Sequence, residues 1–199
     1  MTGERIGIFG GTFDPPHVGH LVVAVNARHA LRLDRLFLVV AHDPWQKTHS
    51  RPVSSAADRL AMVEAAVADV EGLEASGMEI ERGGVSYSAD TLAALRDEDP
   101  SRELFLVVGS DAAAGLPTWE RGDEVRDLAT IVVATRPGAE DGAPPRGWSW
   151  QRLETPRLEV SSTDLRARIA DGRPLDYLLT PAVIDAIQAR HLYRSAVDD

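Results

Sequence analysis

The chain predicts an α/β fold, a doubly wound, mainly parallel sheet with helices on both faces. Three observations carry this. Short apolar runs alternate with helical patterns along the sequence, as βαβ units require. The 199 residues, 44% hydrophobic and 26% charged, suit one globular domain able to bury a sizeable core. The first apolar run ends in paired glycines that lead into a helical pattern. The expected organisation is a single domain over residues 1–199, with a helical part from about 161 to 192 packed on it.

In chain order, the uninterrupted apolar run Ile6–Phe9 reads as a buried strand, and the apolar-periodic stretch Val18–Leu33 as the helix after it. Arg35–Val40 is the second strand. Ala56–Val70 is the clearest helix, because Leu60, Val63, Val67 and Val70 fall on one face. Met78–Ile80 reads as the third strand, Leu104–Val108 as the fourth, Thr130–Thr135 as the fifth and Trp150–Leu153 as the sixth. Between and after them, Ala89–Asp97, Glu120–Asp127, Thr163–Ala170 and Pro181–Ala189 read as helices. The last, with Val183, Ile184 and Ile187, packs either on the core or on a partner. Two loops stand out: polar 42–54, which carries Trp45 and Lys47 at a strand end, and Pro137–Trp148, a Gly- and Pro-rich surface excursion.

Composition narrows the classes of function. A net charge of −10 argues against a broad nucleic-acid or anionic-membrane surface. Without cysteine there is neither disulfide nor thiolate chemistry. The longest apolar run, Leu36–Ala41, is too short to span a bilayer, and the N-terminus, with Glu4 and Arg5, lacks a signal peptide's apolar stretch. A cytoplasmic protein is expected, with no nucleic-acid or membrane partner.

The segment Gly10-Gly11-Thr12-Phe13-Asp14-Pro15-Pro16-His17-Val18-Gly19-His20 then becomes informative. Paired glycines let the backbone turn tightly and approach a ligand closely. The N–H groups and dipole at the helix start attract anions. His17 and His20, three apart, share one face and can donate to a triphosphate. A zinc reading fits poorly, since helical zinc pairs stand at i, i+4 with a Glu between them. The dinucleotide fingerprint is absent too, because Gly7, Gly10 and Gly11 have the wrong spacing. If the first and fourth strands are neighbours, this turn and Gly109-Ser110-Asp111 face one crevice. Ser161-Ser162-Thr163-Asp164-Leu165-Arg166 reads locally as a helix cap.

The Gly-Thr-Phe-Asp-Pro-x-His-x-Gly-His stretch resembles the signature of the nucleotidyltransferase superfamily. The doubled glycine and the Pro15-Pro16-His17 form resemble bacterial nicotinate mononucleotide adenylyltransferases most. Ser161–Arg166 resembles that family's second signature, Ser-Ser-Thr-x-Ile/Leu-Arg, so the late helix becomes more than a cap. The resemblance runs from Ile6 to about Arg190 and implies a Rossmann-like nucleotidyltransferase fold. It implies ATP and nicotinate mononucleotide as partners, Mg²⁺ carried on the ATP phosphates, no protein metal site, and a monomer or homodimer. ATP would meet Gly10, Gly11, Thr12, Phe13, His17, Gly19, His20, Gly109, Asp111, Ser161, Ser162, Thr163 and Arg166. The mononucleotide would meet Gly11, Thr12, Lys47, Tyr87, Ser88, Trp119 and Arg136. His17, His20, Arg166 and Lys47 would stabilise phosphoryl charge in a direct in-line attack without a covalent intermediate.

Several residues keep two readings. Asp14 serves the ligand or fixes its own turn; Arg59 supports the 42–54 loop or lies on the surface. Trp119 stacks on the pyridine ring or fills the core. Ser88 stands where the family has Thr and keeps the hydroxyl. Trp45, Trp148 and Trp150 receive no role. The rival activities are nicotinamide mononucleotide adenylyltransferase, phosphopantetheine adenylyltransferase and a non-catalytic nucleotide-binding protein on the same fold.

Overall fold

The computed structural model describes residues 3–43, 52–135, 142–156 and 158–194. Six strands form one sheet: β1 (Arg5–Gly11), β2 (Arg35–Val40), β3 (Leu73–Ser76), β4 (Glu103–Gly109), β5 (Thr130–Thr135) and β6 (Trp150–Glu154). Their order is β3-β2-β1-β4-β5-β6 and every pairing is parallel. The order reverses between β1 and β4, which is where open α/β sheets bind ligands. Pairing there stops at Phe9–Val107, although β1 continues to Gly11 and β4 to Gly109. The two strand ends therefore open a crevice.

Strand alternation divides the core in two. Phe105 and Val107 of β4 join one apolar cluster, while Leu104, Leu106 and Val108 join the other. The first cluster receives α1 (Val18–Ala30), α2 (Ala56–Val67), α7 (Ser162–Ala170) and α8 (Pro181–Ala189). The second receives α4 (Ser88–Glu98), α5 (Ser110–Gly115), a 3₁₀ turn at Leu116–Thr118 and α6 (Gly122–Leu128). Val183 and Ile187 are buried in the first cluster, so α8 packs on this chain's own core. Trp119, Trp148 and Trp150 lie half-buried against the second.

Two sequence expectations are corrected. Met78–Ile80 is not a strand but part of the short helix α3 (Met78–Arg82). Its Met-Glu-Ile alternation imitates a strand, yet the Glu79 carboxylate turns inward to accept the buried Thr91 hydroxyl at 2.7 Å. The third strand is Leu73–Ser76, whose single large apolar residue gives almost no pattern. The first helix stops at Ala30 rather than Leu33, because Arg32 takes a left-handed backbone (φ 51°) that ends it before β2.

The carboxyl ends of β1 and β2 are joined by Arg59 of α2, a side chain 1% exposed. Its Nη1 donates to the carbonyls of Thr12 (3.0 Å) and Ala41 (2.7 Å), its Nη2 to His42 (3.1 Å) and its Nε to Ser54 (3.0 Å). Arg59→Met should lower unfolding free energy in urea by about 3 kcal/mol, since buried carbonyls then lose charged donors. Arg59→Lys, with three donors and no planar fork, should recover only part of that loss.

Candidate functional site

The site begins where β1 leaves the sheet. Phe13 takes a left-handed backbone (φ 51°), unusual for a bulky residue, and turns the chain so that its ring lies under Gly11. A Cβ on Gly11 would stand 2.8 Å from that ring, so only glycine fits there. Gly10 and Gly109 meet nothing within 4 Å of an added Cβ and border open space at the two strand ends. Phe13 itself is 2% exposed. Its ring meets His20 edge-on at 5.0 Å and Phe9 at 5.9 Å, so the loop presents only Phe13's backbone to a ligand.

His17 is the N-cap of α1 and His20 the third residue of the helix. Their rings stack at 3.8 Å between centroids, 26° from parallel. The His17 backbone N–H donates to His20 Nδ1 at 3.2 Å, so a neutral His20 carries its proton on Nε2 and presents a donor there. His17 is 9% exposed and its Nδ1 is buried without a hydrogen-bond partner. Burial lowers its pKa from 6.5 to about 4. Gly19 makes this packing possible, since a Cβ there would sit 3.0 Å from His17 Cε1 and Nδ1.

A second helix start meets the same loop. Ser161 caps α7, accepting from the Asp164 N–H at 3.2 Å. Ser162 Oγ donates to the Pro15 carbonyl at 2.9 Å, Arg166 Nη1 to the Asp14 carbonyl at 2.7 Å and Nη2 to Thr163 Oγ1 at 3.1 Å. The first-turn N–H groups of α7, which lack intrahelical acceptors, are thus brought beside those of α1. A cleft continues from Phe9 and Gly19 past Gly109 to Thr135 and Thr155 at the ends of β5 and β6. Thr135 Oγ1 is buried there without a partner.

The family model described as cytidylyltransferase-like matches residues 8–168. A probable nicotinate-nucleotide adenylyltransferase of Streptomyces coelicolor is 43% identical over 188 residues, covering 93% of this chain and 98% of the relative. One of Roseiflexus sp. is 43% identical over 201 residues, covering 98% and 100%. The chain belongs to the nicotinate-nucleotide adenylyltransferase family. Its members are enzymes. The fold is also similar to the Plasmodium falciparum nicotinic acid mononucleotide adenylyltransferase complexed with NaAD, with a TM-score of 0.77 at 17% identity over 96% of this chain and 97% of that one. No helix among the described residues is long and apolar enough to cross a membrane.

Of the residues expected for such an adenylyltransferase, the structure brings together Gly10, Gly11, Thr12, His17, Gly19, His20, Ser161, Ser162, Thr163 and Arg166, with Gly109 across the crevice. Asp111 is exposed in α5, two residues past Gly109. Tyr87 and Ser88 start α4. They stand near the end of β2 because the His42 N–H donates to Ser86 Oγ at 2.9 Å and Asp43 bridges to Val85. Trp119 is half-buried, and the ion pair of Arg121 with Asp90 ties its segment to that helix. Lys47 and Arg136, with Trp45, lie outside the described residues. Among the described residues no three acidic or His side chains gather as a metal site.

Sequence reading missed Tyr193, whose hydroxyl donates to Asp14 Oδ1 at 2.6 Å, and gave Arg59 no certain place. Neither has a local signal: Tyr193 lies 179 residues from Asp14.

Because the His17 pKa is lowered in the fold, the unfolded chain binds the proton more readily between about pH 4 and 6.5. The stability that neutral His17 contributes is therefore lost as pH falls through that window, by about 3 kcal/mol. NMR titration of the free protein should place His17 near pH 4, and the acid loss of stability should shrink in His17→Asn.

Proposed function

We propose that this enzyme transfers the adenylyl group of ATP to nicotinate mononucleotide, forming nicotinate adenine dinucleotide and pyrophosphate in NAD biosynthesis. The observation that carries the reading is the meeting of two helix N-termini on one loop: Ser162 and Arg166 bond to Pro15 and Asp14 beside the His17–His20 stack. The names of the relatives supply the substrate pair. The whole chain acts as one domain, with residues 161–192 completing the site.

A 5′-phosphate oxygen of the mononucleotide attacks the α-phosphorus of ATP in line. The bond from that phosphorus to the bridging α,β-oxygen breaks, and pyrophosphate leaves with the electron pair. The nucleophile is already an anion, so no general base is needed. The protein's contribution is position and charge stabilisation. Gly10 and Gly11 admit the phosphates to the backbone, while Ser162 and Thr163 at the start of α7 offer N–H donors. His20 donates from Nε2. His17, neutral in the empty site, gains a charged neighbour when phosphate arrives, which favours its protonated form. Arg166 and Lys47 complete the cationic set. Mg²⁺ enters as part of the substrate, on the ATP oxygens.

Gly109 and Asp111 receive the adenosine ribose. Arg136 meets the mononucleotide phosphate, Trp119 stacks on the pyridine ring, and Tyr87 and Ser88 meet its carboxylate. The reaction is placed in the cytoplasm.

Pyrophosphate release with ATP and Mg²⁺ tests the proposal, with nicotinate mononucleotide, nicotinamide mononucleotide and phosphopantetheine as parallel acceptors. Strong preference for the nicotinate form is expected. Equal use of the amide removes the substrate assignment, and turnover only with phosphopantetheine replaces it. ATP binding without turnover on any acceptor makes the protein a nucleotide binder. His20→Ala should lose about 10²–10³-fold in kcat per folded molecule, as removing a transition-state donor does.

A further inference from the structure

Tyr193 lies beyond α8, in a turn where both it (φ 62°) and His191 (φ 53°) adopt left-handed backbone. That conformation is unfavourable for an aromatic residue, so the surroundings must hold it. Its hydroxyl donates to Asp14 Oδ1 at 2.6 Å and lies 3.7 Å from Met62 Sδ of α2. Asp14 is 1% exposed and sits between the Phe13 turn and His17. Its backbone carbonyl accepts Arg166, and that of Thr12, two residues earlier, accepts Arg59. Among the described residues, the charged and titratable groups near Asp14 include Tyr193 from the tail, Arg166 from α7, Arg59 from α2 and His17 at the head of α1. Ser54 also lies beside the Tyr193 hydroxyl. Burial and the Asp14 contact push the phenol pKa upward, so it remains a donor at every working pH.

We propose that Tyr193 is a positioning residue for adenylyl transfer: through Asp14 it fixes the backbone on which Arg166 and the histidine pair are set. The inference rests on the proposed function. The Tyr193 hydroxyl donates to Asp14 Oδ1 in a place that water does not reach freely. Without it, the buried carboxyl takes up a proton more readily, turns from acceptor to donor and disturbs the loop from within. The defect therefore grows as pH falls.

The test compares wild type, Tyr193→Phe, Asp14→Asn and the double variant. Pyrophosphate release is followed from about pH 5 to 8, with melting temperatures measured alongside, with and without ATP. Tyr193→Phe should lose roughly tenfold in kcat/KM at neutral pH, mostly in kcat, and gain an acid limb that wild type lacks. The double variant should lack that limb, because its residue 14 cannot titrate. A Tyr193→Phe profile parallel to wild type overturns the inference. So does a loss that vanishes when rates are expressed per folded molecule. If wild type itself turns over no acceptor, the proposed function fails. The inference is then judged on ATP binding: loss of the ATP-induced rise in melting temperature in Tyr193→Phe supports it, and an unchanged rise overturns it.

Discussion

A parallel sheet sends all its strands out at one end, where each chain must turn away and its last carbonyls lose their ladder partners. Where ligands are to bind there, those carbonyls need an acceptor's complement from within the protein. Arg59 supplies it. One planar guanidinium bonds to carbonyls of Thr12, Ala41, His42 and Ser54, so three segments share one rigid hub. Burying a cation is unfavourable unless its donors are filled, and here they face a ring of carbonyl dipoles. The geometry of the loop between β1 and α1 follows from this hub. Thr12 is held from below, Phe13 is left to bend into its left-handed turn, and Asp14 and His17 take up positions that depend on that bend.

Within this frame, the site is built from dipoles more than from formal charge. The chain carries a net charge of −10, which taken alone would repel a triphosphate. In the proposed reaction, two helix starts and a neutral, desolvated imidazole offset it locally. His17 illustrates the principle: burial makes its protonated form unfavourable until an anion arrives, so its electrostatic contribution is conditional on occupancy. The paired stack with His20 reinforces this, since two protonated rings at 3.8 Å repel in the empty site. The His17 N–H, bonded to His20 Nδ1, also sets which nitrogen of a neutral His20 carries the proton.

How much of this was legible in the sequence depends on how local each cause is. The strand–turn–helix at Gly10–His20 and the capped start of α7 are local, and both were readable, as was the parallel α/β architecture. The Leu73–Ser76 strand was not, because its pairing with β2 decides it and its own residues carry little pattern. Met78–Ile80 misled for the opposite reason: its alternation is genuine, but Glu79 is turned inward by the Thr91 hydroxyl on another helix. Trp119 kept two readings in the sequence and is half-buried in the structure, leaving one part of the ring against the core. Of the two readings kept for Arg59, support of the 42–54 loop is the one the structure bears out, through the His42 and Ser54 carbonyls; Tyr193 was beyond reach, since its partner is fixed only by the finished fold.

That non-local construction has a consequence for how the site is held. Its principal contacts span 147, 152 and 179 residues: Ser162 to Pro15, Arg166 to Asp14, Tyr193 to Asp14. All three come from the helical part after β6. The sheet, by contrast, is held by ladders between adjacent strands and by two apolar clusters. Free energies of local opening differ between such units. If α7 and α8 opened together, the sheet could keep its ladders and Arg59 its carbonyls, but the loop between β1 and α1 would lose its second helix start and the Asp14 carboxylate the Tyr193 hydroxyl. Site integrity is thus a more demanding condition than fold integrity. The residues that satisfy it are grouped at the end of the chain, against a loop made at its beginning.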